Sequence, residues 1–242
     1  MKNIYITLVV VVSFFLSTSA QETIKYASKD GLEITADLYE AKNASGFIIM
    51  FHQAGWSRGE YKEIAPKLNK MGYSCLAVDL RSGGQVNGVS NETNKRAKSD
   101  GKTTTYTDAF QDIEASVAYV KKQFKPGKLI IWGSSYSSAL SLKYGGDYPD
   151  AVNGILSFAP GEYFGSKNYV TKSAKNIKVP VFITSAKNEY NNWKGIYSAI
   201  KSDKKKSYLP ETRGNHGSRA LWAKFSDSRG YWDAVKEFLA TI

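Results

Sequence analysis

The chain has 242 residues, of which 42% are hydrophobic and 23% charged, with a formal net charge of +11. That composition excludes a disordered chain and suits one large globular domain whose core needs no disulfide or metal. One cysteine and two histidines exclude a disulfide framework and a Cys/His metal cluster, and no nucleic-acid motif accompanies the scattered basic residues.

The first twenty residues read as a leader. Lys2 is a short positive start, Ile4 to Leu16 is an apolar run, and Ser17-Thr18-Ser19-Ala20 places small residues before Gln21. This is the pattern of a secretory signal peptide cleaved after Ala20. The apolar run is short for a membrane span, and no cysteine follows it to carry lipid. The expected organisation is therefore a signal peptide over 1–20 and one domain over 21–242, secreted or periplasmic, with no stable membrane insertion after cleavage. Cleavage removes Lys2 and no acid, so the net charge falls from +11 to +10. The default for that charge is a solvated surface.

Two alternating segments, 23–26 and 32–39, flank Asp30-Gly31 and predict a β-hairpin. Gly46 to Phe51 is continuously apolar, as in a strand buried on both faces, and runs into His52-Gln53-Ala54-Gly55. Ser57 and Glu60 have the spacing of a capping box. The helix after them carries an apolar stripe of Tyr61, Ile64, Ala65 and Leu68, and Pro66 should kink or restart it. A strand over 73–80 contains Cys75, read as a core residue. The polar stretch that follows, to about Thr105, is expected to be a long loop that forms a rim or flap over a site. Phe110, Ile113, Val117, Val120 and Phe124 then mark a helix over 108–124, stopped by Pro126-Gly127.

An apolar strand, Leu129 to Trp132, leads next into Gly133-Ser134-Ser135-Tyr136-Ser137 and a helix. A strand turning sharply into a helix with a serine at the apex is a nucleophile elbow, usually G-x-S-x-G. The backbones nearly touch at such a turn, so the residues two before and two after the nucleophile must be small. Ser135 has Gly133 and Ser137 there and qualifies. Ser134 and Ser138 each have the large Tyr136 two residues away. Ser137, flanked by Ser135 and Ala139, is a second candidate further from the strand end.

Strands over 151–158, 179–184 and 207–209 follow, with helices over 192–201 and 231–242. Regular alternation of strand and helix means a mostly parallel sheet with helices on both faces. Segment 160–178 is too short for a separate cap domain, so the site should be open. In such sheets the loops at the carboxyl ends of the strands build the site.

A serine nucleophile needs a base, and the base a carboxylate to orient it. His216 lies in Arg213-Gly214-Asn215-His216-Gly217-Ser218 after the last strand and is the candidate base. His52 follows an earlier strand and reads as structural. Its loop supplies an oxyanion N–H from Gln53 or Ala54, and the Tyr136 N–H supplies the other. Three residues compete for the acid position. Glu189 follows the 179–184 strand. Asn188 is where counting from Ser185 puts the acid. Glu162 lies in the loop after the preceding strand. Asp203, in a lysine-rich segment, reads as solvated.

Five segments together resemble the α/β-hydrolase superfamily, in its cap-less dienelactone-hydrolase-like and small-esterase branch. They are residues 51–55, 77–84, 131–138, 181–189 and 214–217, and they are spread over nearly all of the chain after the leader. The resemblance implies an eight-stranded sheet, acyl-enzyme hydrolysis in the order Ser135, Glu189, His216, and no cofactor. The elbow departs from the pattern in lacking its second glycine, and Ser135 stands where dienelactone hydrolases place cysteine. The expected activity is hydrolysis of a small-molecule or polymer-borne ester. Peptidase or amidase action, and non-catalytic binding on the same fold, are the alternatives.

Overall fold

The computed structural model describes residues 21–242, so the expected signal peptide lies outside the described residues. Strands β1 (Gln21–Ala27) and β2 (Glu33–Tyr39) form the antiparallel hairpin, which turns through Gly31 at φ 79°. Every residue of β3 (Gly46–Phe51) is buried. A 3₁₀ turn, Arg58–Tyr61, precedes α1 (Ile64–Lys70). Pro66 thus sits in the first turn of a restarted helix, where its missing N–H costs nothing. The Ser57 hydroxyl accepts from the Gly59 N–H, but no capping box forms, because the Glu60 side chain is engaged elsewhere.

Strand β4 (Tyr73–Val78) is wholly buried, and desolvation raises the Cys75 thiol well above its ordinary pKa. The stretch after it is not the expected loop. It folds into a small hairpin, β5 (Gln85–Val86) with β6 (Val89–Ser90), and the helix α2 (Glu92–Ser99). Helix α2 has almost no apolar residues, so no hydrophobic period announces it. Polar bonds hold it instead: the Asn91 side chain caps it at the Asn94 N–H, and Thr93 Oγ1 accepts from the Thr35 N–H. Asp79 accepts from the Arg58 side chain and from the Glu92 N–H. The segment therefore clamps the β2 side of the sheet.

The rest alternates as expected, apart from the unexpected short helix α5, through α3 (Phe110–Phe124), β7 (Leu129–Ser134), α4 (Tyr136–Asp147), β8 (Gly154–Phe158), α5 (Tyr169–Ala174), β9 (Val181–Thr184), α6 (Tyr190–Ala199), β10 (Lys205–Tyr208) and α7 (Ser228–Leu239). One eight-stranded sheet runs in the order β1-β2-β4-β3-β7-β8-β9-β10. It is parallel from β4 onward, and only β1/β2 and β2/β4 are antiparallel.

Alternate residues of each central strand feed opposite layers. Ile131 packs with Ile113, Leu140 and Ile196 on the α3–α6 side, while Ile130 and Trp132 pack with Leu68, Val235 and Phe238 on the α1/α7 side. Each such buried side chain is worth roughly 1.5–3 kcal/mol of removal from water. Arg81, buried after β4, pairs with buried Asp112 of α3 and with Asp30 of the first hairpin. Among the described residues no helix is long and apolar enough to cross a membrane.

Chain order reverses at β3. The next strand, β4, lies on one side of it and β7 on the other, with Phe51 opposite Gly133. The loops after β3 and β7 therefore emerge side by side, at the switch point where open α/β sheets form their crevice.

Candidate active site

Ser135 sits at the end of β7 with φ 60° and ψ −122°, a conformation that costs a non-glycine residue of order 1–3 kcal/mol. Strand and helix meet so closely that a Cβ on Gly133 would lie 2.3 Å from Ser138 Cα. The missing second glycine has a use. Ser137, in its place, bonds through its hydroxyl to the Phe51 carbonyl (2.8 Å) and the Ser134 N–H (2.9 Å), tying the turn to β3. Ser134, Ser137 and Ser138 are 0% exposed, whereas Ser135 is 9% exposed. Ser135 is thus the most exposed of the four.

His216 lies beyond β10 on a loop shaped by two left-handed glycines, Gly214 (φ 71°) and Gly217 (φ 69°). A side chain on Gly217 would meet Ser134 Oγ at 2.5 Å, so the loop crosses the elbow at near contact. The His216 Nε2 is 2.8 Å from Ser135 Oγ, and its Nδ1 is 2.5 Å from Glu189 Oε1. A carboxylate only accepts, so Nδ1 carries the ring proton and Nε2 accepts from the serine.

Glu189 ends the 3₁₀ turn Lys187–Glu189 after β9. Its second oxygen accepts from the Ala186 N–H at 3.0 Å, which fixes the carboxylate plane. The Lys187 N–H donates to the Arg213 carbonyl, tying the acid loop to the histidine loop. Of the other two acid candidates, Asn188 lines the cleft beside His216, and Glu162 turns away. Both Glu162 oxygens accept from α5, at the N–H groups of Val170 and Thr171 and the Thr171 hydroxyl.

The oxyanion side is narrowed. Tyr136 opens α4, so its N–H is among the unpaired first-turn donors of that helix. The Gln53 N–H, one of the two expected partners, donates to Glu60 Oε2 at 2.8 Å. Of the two expected loop donors, Ala54 is the one without that bond. His52 is fully buried, and its ring is committed. Nδ1 bonds to the Gln53 carbonyl, while Nε2 accepts from the Leu80 N–H and from Asn91. Burial pushes His52 down to about 4, so the ring stays neutral at physiological pH.

The residue that sequence reasoning missed is Glu60, read there as a cap. It is fully buried, and desolvation pushes its carboxyl up to about 7. Its Oε1 accepts from Ser134 Oγ at 2.6 Å, and Ser134 Oγ in turn accepts from the Ser218 N–H at 2.9 Å. Nothing local marks it: Glu60 stands in the polar stretch Ser57-Arg58-Gly59-Glu60-Tyr61-Lys62-Glu63, where its spacing from Ser57 already had a simpler explanation.

A cleft of about 330 Å³ opens beside His216, and Glu189, Asn188, Arg213 and Arg219 line it. The Arg219 guanidinium lies over Trp56, which stacks on Trp222. Tyr106 stacks on Tyr136, next to the elbow, at 4.6 Å. Segment 160–178 forms no large cap and contributes only the short helix α5.

Known structures share this arrangement of chain. An esterase of Pyrococcus furiosus superposes with a TM-score of 0.72 at 17% identity, covering 92% of each chain. A dienelactone hydrolase of Anabaena variabilis gives 0.72 at 12% identity, over 92% of this chain and 97% of that one. Acetyl xylan esterase 1 of a Thermoanaerobacterium species gives 0.66 at 18% identity, over 94% and 85%. At such identities the likeness is one of fold. No curated protein matches the sequence. The family model described as serine aminopeptidase, S33, matches residues 42–175, which include the loop after β3 and Ser135 and stop short of Glu189 and His216. That match spans more than half of the chain and agrees with the sheet order and the elbow; the chain belongs to the serine aminopeptidase S33 family of α/β-hydrolases.

Proposed function

We propose that the protein is an exported serine hydrolase that cleaves carboxylic esters through an acyl-enzyme. The observation carrying this reading is the hydrogen-bonded row Ser135–His216–Glu189, with Nε2 at 2.8 Å from Oγ. Ser135 Oγ attacks the acyl carbon while His216 Nε2 takes its proton. The tetrahedral oxyanion is held by the N–H groups of Tyr136 and Ala54. Glu189 stabilises the imidazolium formed in that step. His216 then gives the proton to the departing alkoxide, and water repeats the sequence to free the acid and restore Ser135.

Ester cleavage is favoured by fold neighbours that are themselves esterases. Peptide or amide cleavage is the second reading, favoured by the name of the matching family. A panel of p-nitrophenyl esters and aminoacyl p-nitroanilides decides between them. Turnover of the acetate ester with anilide rates at least about 10²-fold lower is expected. The reverse order would make the protein an aminopeptidase, and no turnover of either would favour a binding role.

Export rests on the leader over 1–20. Material secreted by the native host is expected to begin at Gln21 by intact mass. A retained Met1 on membrane-bound protein would overturn it.

A further inference from the structure

We propose that Glu60 is a positioning residue for this reaction, its carboxylate holding the oxyanion loop, the elbow and the histidine loop in register. The inference rests on the reading of Ser135 as nucleophile and His216 as base.

Three loops from distant parts of the chain meet on this one side chain. Glu60 Oε2 takes the Gln53 N–H at 2.8 Å, on the loop that presents Ala54. Glu60 Oε1 takes Ser134 Oγ at 2.6 Å, one residue before the nucleophile. Through Ser134 Oγ it reaches the Ser218 N–H at 2.9 Å, two residues after the base. The Trp222 indole N–H bonds to the Glu60 carbonyl, so its backbone is held by the same histidine-side segment. Gly217 lies in the gap, where a Cβ would stand 2.5 Å from Ser134 Oγ and 2.7 Å from Gln53 Oε1. The three loops are therefore in near contact at this point.

Two features separate Glu60 from an ordinary core residue. Its side-chain partners are neutral donors, so a carboxylate here carries a desolvation cost that an apolar side chain would avoid. And its bond to Gln53 selects between the two N–H groups of the oxyanion loop. With Gln53 tethered, Ala54 is the one presented. Glu60 itself is fully buried and does not touch substrate. Its effect is exerted through the placement of Ala54 N–H and His216 Nε2, where errors of about 1 Å cost on the order of 10²-fold in rate.

The test uses Glu60→Gln, which keeps the shape and one acceptor, and Ser134→Ala, which removes the hydroxyl joining Glu60 Oε1 to the Ser218 N–H and leaves the Gln53 bond in place. Each is read by kcat and KM on p-nitrophenyl acetate, by the rate of fluorophosphonate labelling at Ser135, and by thermal melting. Glu60→Gln is expected to lower kcat and labelling by about 10- to 100-fold with KM within about threefold. Ser134→Ala should give a smaller loss in the same direction. The double variant should lose less than the product of the two, since they share one network. If Glu60→Gln does not fold, Glu60→Asp, with the charge kept one methylene short, is read the same way. A folded Glu60 variant with wild-type kcat and labelling, or one altered only in KM or melting temperature, overturns the proposal. Wild-type protein that neither turns over nor labels would overturn the serine-hydrolase reading, and this inference with it.

Discussion

Replacing Ser135 by alanine is expected to lower kcat for p-nitrophenyl acetate by about 10⁴-fold or more, with little change in melting temperature. Loss of a triad serine costs about 10⁶ in kcat in the subtilisin precedent, and the residual rate comes from oxyanion stabilisation and binding. Folding should tolerate the change. Ser135 holds its strained backbone through its own N–H, which donates to the Phe158 carbonyl, and alanine keeps that bond. A fluorophosphonate probe should label the wild-type protein once, at Ser135. The neighbouring serines are committed: Ser134 Oγ to Glu60, Ser137 Oγ to the Phe51 carbonyl, and Ser138 Oγ to the Ser135 carbonyl. Labelling at Ser137, or turnover undiminished in Ser135→Ala, would overturn the assignment.

Glu189→Gln is expected to cost at least about 10²-fold in kcat, scaled down from the roughly 10⁴-fold loss for an acid-to-amide change in a triad. Both Glu189 oxygens accept, one from His216 Nδ1 and one from the Ala186 N–H. A glutamine has one acceptor oxygen, so one of those donors loses its partner. If the amide NH₂ faces Nδ1, the ring proton moves to Nε2, and the base then points a proton at Ser135 and cannot take one. If the oxygen stays on Nδ1, the Ala186 N–H meets a donor and the turn shifts. In either arrangement the negative charge that stabilises the imidazolium is gone. Glu162→Gln is expected to leave kcat within about threefold and to lower stability by about 1 kcal/mol, the usual cost of weakening a helix cap. Its oxygens serve the first turn of α5. The opposite ranking by kcat would transfer the acid role to Glu162.

Much of the architecture was legible because it follows from hydrophobic period. Residues 46–51 and 129–132 are apolar without interruption and 73–78 are apolar but for Ser74, and strands buried on both faces need that. The α3 stripe of Ile113, Val117 and Val120 is equally plain, and all three are buried. Helix α2 and the β5–β6 hairpin were not legible, because their stability comes from Asn91, Thr93 and Asp79 bonding to backbone outside their own segment, which leaves no period in the sequence.

The same division holds at the site. Steric demand narrowed the elbow serines to Ser135 and Ser137, since an elbow leaves no room for Trp132 or Tyr136 two residues from a nucleophile, and closeness to the strand end favoured Ser135. With only His52 and His216 in the chain, the choice of base was narrow as well. Local rules could not rank Asn188, Glu189 and Glu162, because reach depends on how a turn is wound. The 3₁₀ turn after β9 aims Glu189 at His216, and the start of α5 captures Glu162. Nor could they separate Gln53 from Ala54, or see Glu60 as more than a cap. Those depend on loops distant in sequence converging at the β3/β7 switch point, and only the folded sheet order brings those loops together.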